Sequence, residues 1–391
     1  MRPMSPTVLA FITPREIFAW PVFCLTAVLL WSLAGCGRPP APDASRAAAE
    51  KPADGLSGQV DGPADPPAAA EHWRGIVVSC RRNGPGEWDG PHFGPLLTRL
   101  QTLGVNAVQV HPYARISADG AVGYRPDHLE SATTQPLLTA ADAGMAAFLK
   151  PHLAYWRSGF AWRGDITFGD EAHWQRFFAE YTQYIVHQAE CAQRGGAALF
   201  AVGTELDKTL HREADWREVI RQVRAVYDGP ITYAANWDAV ARVPFWDALD
   251  YVGVQAYYPL SSQRPPTDEQ LIAGWKTVLD GLAKLSAEVG RPVVFAELGY
   301  AISEEAALRP WDDHQAGDWE AGARLKLRCM RIALEQLDDQ PWLAGVFLWK
   351  WFADDREQNR EFILQYDAMR DVIRGAWAQR VAGVAGGRNV E

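Results

Sequence analysis

Residues 198–205 read ALFAVGTE and residues 292–297 read PVVFAE, two short, almost wholly apolar runs that each close on a glutamate. Neither alternates apolar with polar residues, so each fits a parallel strand covered on both faces rather than a half-exposed antiparallel one. Comparable runs lie at 75–80 (GIVVSC), 105–111 (VNAVQVH), 146–152 (AAFLKPH), 231–236 (ITYAAN), 251–257 (YVGVQAY) and 345–349 (GVFLW). Stretches at 93–103, 170–194, 215–227, 268–289 and 318–337 carry apolar residues at helical spacing between them. Strand and helix alternating through eight strands predict a single (β/α)8 TIM barrel of the α/β class. A doubly wound sheet would call for a glycine-rich phosphate loop after the first strand, and GIVVSCRRNGPGEWDG contains neither GxGxxG nor GxxxxGK[ST]. The fifth unit is the tightest, since 14 residues separate Asn236 from Tyr251 and leave room for only a very short helix.

The chain has 391 residues, 48% of them hydrophobic, which is ample for one large core. Its 38 Lys and Arg against 48 Asp and Glu give a formal net charge of -10. With no long basic run, that balance argues against a nucleic-acid partner, because phosphate binding relies on clustered cations. Seventeen Trp and twelve Tyr supply either core volume or flat platforms for a ligand with apolar faces, such as a sugar ring. The five cysteines, at 24, 36, 80, 191 and 329, form no CxxC pair and indicate neither a zinc site nor a disulfide scaffold.

Ahead of the barrel, Arg2 and Arg15 precede an apolar run, IFAWPVFCLTAVLLWSL, which ends in Leu33-Ala34-Gly35-Cys36. The pattern predicts a secretory signal over 1–35. LAGC resembles a bacterial lipobox, which implies cleavage before Cys36 and a lipid on its new N-terminus. Gly37, rather than Asp, follows the cysteine, and in Gram-negative lipoproteins that implies release to the outer membrane. Residues 36–70 hold seven prolines and no aromatic residue, so they read as a disordered, semi-extended tether. The barrel is then expected over 71–391, held at a cell envelope by its lipid.

In a barrel of this kind the chemistry gathers at the C-terminal ends of the strands. Those ends supply His111 and Tyr113 on strand two, Lys150 and His152 on three, Glu205 on four, and Asn236 and Trp237 on five. Tyr257 and Tyr258 follow on six, Glu297 on seven, and Trp349 and Lys350 on eight. Burying a carboxylate at the end of an apolar strand is costly unless the site uses its charge or its proton. Two carboxylates in one cleft can have their pKa values pushed apart, one staying protonated as an acid while the other is ionised as a nucleophile. That is the chemistry of glycosidic bond cleavage.

The strand-four and strand-seven glutamates resemble those of the clan A retaining glycoside hydrolases. Within that clan AVGTEL at 201–206, FAELGY at 295–300, KPH at 150–152 and WRGDI at 162–166 are similar to glycoside hydrolase family 113, known chiefly for endo-β-1,4-mannanases. The resemblance implies that Glu205 is the acid/base and Glu297 the nucleophile. It further implies that Tyr257 orients Glu297 and that Trp349 forms an aromatic floor under the sugar. Asn236, Trp237, Lys150, His152 and His111 are expected to contact sugar hydroxyls or line the cleft. One departure is Thr204, where most of the clan carries Asn beside the acid/base. His111 and His152 also raise the question of a metal. Metal-dependent barrels place HxH at the end of strand one, and here that strand ends Val78-Ser79-Cys80, so no metal or organic cofactor is expected. The expected partner is a β-linked oligo- or polysaccharide, with the membrane engaged through Cys36. A reading of a different class is a non-catalytic, glycan-binding lipoprotein that keeps the cleft, and the presence of both glutamates argues against it.

Overall fold

The computed structural model describes residues 72–386, apart from 82, 83, 339 and 355. The signal, Cys36 and the tether lie outside the described residues. Eight parallel strands close into a barrel in the order β1-β8-β7-β6-β5-β4-β3-β2. They are β1 Trp73–Ser79, β2 Ala107–Val110, β3 Ala146–Leu149, β4 Leu199–Thr204, β5 Ile231–Asn236, β6 Tyr251–Gln255, β7 Val293–Leu298 and β8 Leu343–Phe352. Around them lie α1 Phe93–Gln101, α2 Gln135–Asp142, α3 Glu171–Gly195, α4 Glu213–Arg224, α5 Asp268–Val289, α6 Trp319–Gln336 and α7 Asp367–Gly386. No α-helix is described between β5 and β6. Two 3-10 turns, Val240–Arg242 and Trp246–Ala248, take its place, with the buried Trp246 indole donating to the Val240 carbonyl at 2.9 Å.

The longer helices carry their own start and stop signals. In α3 the Asp170 carboxylate accepts from the His173 amide at 3.0 Å, and Gly196 ends the helix at a φ of 66°. In α5 Thr267 and Gln270 form a reciprocal capping box. No described helix is long and apolar enough to cross a membrane.

Two large apolar clusters, one between the barrel and its helices and one inside the barrel, make most of the core of the described residues, with a small third around Tyr257, Ala301 and Phe362. Trp73 and Tyr251 meet at 5.4 Å inside, and Phe148 and Phe347 at 5.1 Å. Gly75 is required by this layer, since a Cβ there would lie 2.2 Å from the Phe347 ring. Interior positions alternate along each strand, and the alternation carries the lining residues in phase: Ala107, Gln109 and His111; Phe148, Lys150 and His152; Tyr251, Gln255 and Tyr257; Phe347 and Trp349.

The third predicted run does not continue as one strand. It breaks after Leu149, and His152–Ala154 joins Tyr113–Ile116 and Val122–Gly123 in a separate three-stranded sheet. Proline at 151 offers no N–H to a barrel ladder. The break pairs Tyr113 with His152 and packs the tyrosine against the histidine ring at 5.2 Å.

Candidate active site

Glu205 follows β4 with a φ of 52°, a left-handed backbone that only glycine adopts without cost. Its surroundings over-determine that geometry. The Glu205 amide donates to the Ala234 carbonyl at 2.9 Å, and the next amide, of Leu206, donates to the Tyr233 hydroxyl at 2.8 Å. Thr204 is held by its hydroxyl on the Pro151 carbonyl at 3.2 Å.

Glu297 reaches the mouth by a different device. Val294 and Ala296 face the barrel interior, so strict alternation would turn residue 297 outward. A register shift between Phe295 and Glu297 in the pairing of β7 with β6 resets the phase and brings the carboxylate inward. There it is buried, 4% exposed, and fully engaged. Lys150 ion-pairs with Oε1, and the Tyr257 hydroxyl donates to Oε2 at 2.6 Å. The phenol is held far above its ordinary pKa, chiefly by burial and then by the Glu297 charge, so it stays a donor.

Two chains of polar side chains join the carboxylates. In the first, Lys150 touches Glu297 and also donates to the Gln255 amide oxygen at 3.0 Å, while the Gln255 side chain hydrogen-bonds Glu205. In the second, Arg163 approaches Glu205 Oε2 at 3.6 Å and donates to His152 Nδ1 at 2.9 Å, and His152 Nε2 lies 3.9 Å from Glu297 Oε1. Burial raises the pKa of Glu205 above the usual carboxylate range. Arg163 opposes that rise and the Glu297 charge adds to it. The arrangement therefore offers one carboxyl biased toward its protonated form and a second carboxyl held by a cation and a phenol.

The remaining predicted residues fall into three groups. His111 is buried, stacks on His152 at 5.0 Å and lies 5.3 Å from the Trp349 ring. Burial and the nearby cations hold both histidines well below their ordinary pKa, so they are neutral. Trp349 is half-buried and packs, with Trp237, on the Tyr257 and Phe362 cluster. Trp237 also stacks on the exposed Trp311 at 5.5 Å with 19° between the planes. Asn236 turns aside, its amide donating to the Asp238 carboxylate at 2.7 Å.

Lys150 is fully buried, and its ammonium engages Glu297 and Gln255. Among the described residues the one group of three metal-type ligands is Asp312, Asp313 and His314, and the last two are exposed. His111 and His152 are not in it. Two site residues carried no role in the sequence reading, Gln255 and Arg163. A polar residue two before Tyr257 in an apolar strand is a visible signal for Gln255. Arg163 comes from a loop turn, Arg163–Asp165, where periodicity says nothing.

The family profile described as Glycoside Hydrolase Family 113 matches residues 82–365. No curated protein sequence matches the chain. Among solved structures, a GH113 β-1,4-mannanase complex is 24% identical with a TM-score of 0.68, over 80% of this chain and 100% of that one. The GH113 β-mannanase of Alicyclobacillus acidocaldarius, bound to ManMIm, is 25% identical with a TM-score of 0.68, over 79% of this chain and 97% of that one. The β-glucuronidase of Ruminococcus gnavus shares the fold more distantly, at 12% identity and a TM-score of 0.52, over 78% of this chain and 50% of that one. With the barrel closed, two glutamates at its mouth and the profile spanning most of the domain, the chain belongs to glycoside hydrolase family 113 and is a glycosidase.

Proposed function

We propose that the protein cleaves a β-1,4-linked mannan or manno-oligosaccharide by double displacement, with net retention at the anomeric carbon. The observation that carries this reading is the asymmetry between the two carboxyl groups. Glu205 is biased toward protonation by burial, whereas Glu297 is tied to Lys150 and Tyr257. Glu205 gives its proton to the leaving-group oxygen as Glu297 attacks the anomeric carbon and forms a glycosyl ester. Formation of the ester removes the Glu297 charge, one cause of the raised Glu205 pKa, so Glu205 can then act as the base that activates water. Both 24–25% identical neighbours carry mannanase in their names, which supports mannan over other β-glycans. The rival of a binding-only barrel has no observation in its favour.

The N-terminal segment adds a location. LAGC at 33–36 supports a lipid on Cys36, and the proline-rich 36–70 would act as a spacer between membrane and barrel, placing the enzyme on the cell envelope.

The test is hydrolysis of mannan, glucomannan, β-glucan, xylan and chitosan by the purified protein, beside Glu297→Ala. Release from mannan, with the β-anomer formed first by proton NMR, is expected from the wild type alone. Azide added to Glu297→Ala should yield an α-glycosyl azide. Release by Glu297→Ala at more than a few per cent of wild type would overturn the assignment of the nucleophile.

A further inference from the structure

The second chain of side chains fixes something about His152 that its position alone does not. An arginine only donates hydrogen bonds. Arg163 Nη1 lies 2.9 Å from His152 Nδ1, so Nδ1 is the acceptor. The ring is neutral and its proton sits on Nε2. That Nε2–H is buried and has no hydrogen-bond partner in the protein. Glu297 Oε1, at 3.9 Å, is too far to accept it. His111 stacks face to face on the ring and offers it no acceptor in plane. A buried donor left unpaired costs about 1–3 kcal/mol, so the site holds a donor waiting for a ligand oxygen beside the attacking carboxylate.

Glu297 would attack the anomeric carbon, and the carbon beside it carries the 2-hydroxyl, a sugar group with an oxygen that a donor 3.9 Å from that carboxylate can meet. Hydrogen bonds to this hydroxyl strengthen in the transition state of glycoside cleavage. The Thr204 hydroxyl already spends its one proton on the Pro151 carbonyl and cannot compete as a donor. We propose that Arg163 is a positioning residue that locks His152 as an Nε2–H donor to the sugar 2-hydroxyl, making this pair a determinant of sugar recognition. The proposal rests on Glu297 being the nucleophile.

The test compares wild type with Arg163→Met, Arg163→Lys and His152→Gln on an aryl β-mannobioside and on the same compound lacking the 2-hydroxyl of the cleaved sugar. Histidine 15N NMR of the free protein, with the His152 signal assigned by its loss in His152→Gln, reads the tautomer without any need for turnover. In wild type His152 should carry its proton on Nε2. Arg163 also contacts Glu205, so Arg163→Met can act on both compounds and the reading is the ratio. Its loss in kcat/KM should be about tenfold or more greater on the mannoside than on the 2-deoxy compound, so that the wild-type preference collapses. Arg163→Lys, which keeps a donor, should recover part of it. A wild-type His152 protonated on Nδ1 would overturn the proposal, as would equal losses on both compounds in Arg163→Met or, should that variant not fold, in Arg163→Lys. Wild type inactive on both compounds, with His152 still protonated on Nε2, would instead overturn the proposed substrate while leaving the tautomer lock standing.

Discussion

Replacing Lys150 by Met tests the buried pair at the centre of the site. The Lys150 side chain is 0% exposed and that of Glu297 6%, so no solvent is available to take over when one charge is removed. Losing one partner of a buried ion pair costs about 3–5 kcal/mol, mostly because the other charge is stranded. Lys150→Met should therefore lower the melting temperature by about 6–20 °C, toward the low end for a domain of this size. Glu297→Gln should cost less, about 1–3 kcal/mol. Burial already lowers the Lys150 pKa, so a stranded ammonium can shed its proton. The double variant removes both charges and should recover most of the loss, giving a coupling of about 2 kcal/mol or more, whereas independent sites add within about 0.5 kcal/mol. Urea unfolding followed by tryptophan fluorescence measures all four proteins. Additive losses would refute the reasoning, because they would mean that each charge is solvated without the other.

Other outcomes follow from the same geometry. Tyr257→Phe deletes a 2.6 Å hydrogen bond to Glu297, of a type worth about 1.5–3 kcal/mol, and should lower kcat/KM by about tenfold to a hundredfold in steady-state assays with the fold unchanged by circular dichroism. For Glu205, a folded pKa raised above the unfolded value means that its contribution to stability is fully present below the unfolded pKa of about 4.3 and is lost as pH rises through the folded one. Glu205→Gln should accordingly be more stable than wild type at pH 7 and no more stable at pH 4, as read by thermal unfolding at the two values. The same variant should lose mannan hydrolysis yet still show a burst on a dinitrophenyl mannoside, whose leaving group needs no proton.

The barrel was legible because parallel strands buried on both sides announce themselves as apolar runs, and strand ends direct attention to the mouth. The strand-end residues His111, His152, Tyr257 and Trp349 could be placed by counting in twos from interior positions. Glu297 could not, since its inward direction depends on a register shift that the residues PVVFAE do not encode locally. The break after Leu149 was hidden in a run that looked continuous, although Pro151 was its clue. Arg163 was out of reach because a loop residue acquires a partner only when the chain has closed around it. Lys150 was visible as a strand-end cation, but its pairing with Glu297 spans 147 positions of sequence and emerges only from the closed ring.

The left-handed backbone at Glu205 has an evolutionary reading. A strained non-glycine residue there costs of order 1–3 kcal/mol, and glycine or asparagine would relieve much of it. Selection for stability alone would thus push this position away from glutamate. A descendant that kept the barrel to hold glycans and gave up turnover would be free to follow that slope. On the proposed assignment of Glu205 as the acid, glycine or asparagine at the equivalent place in a relative would be an early mark of lost catalysis.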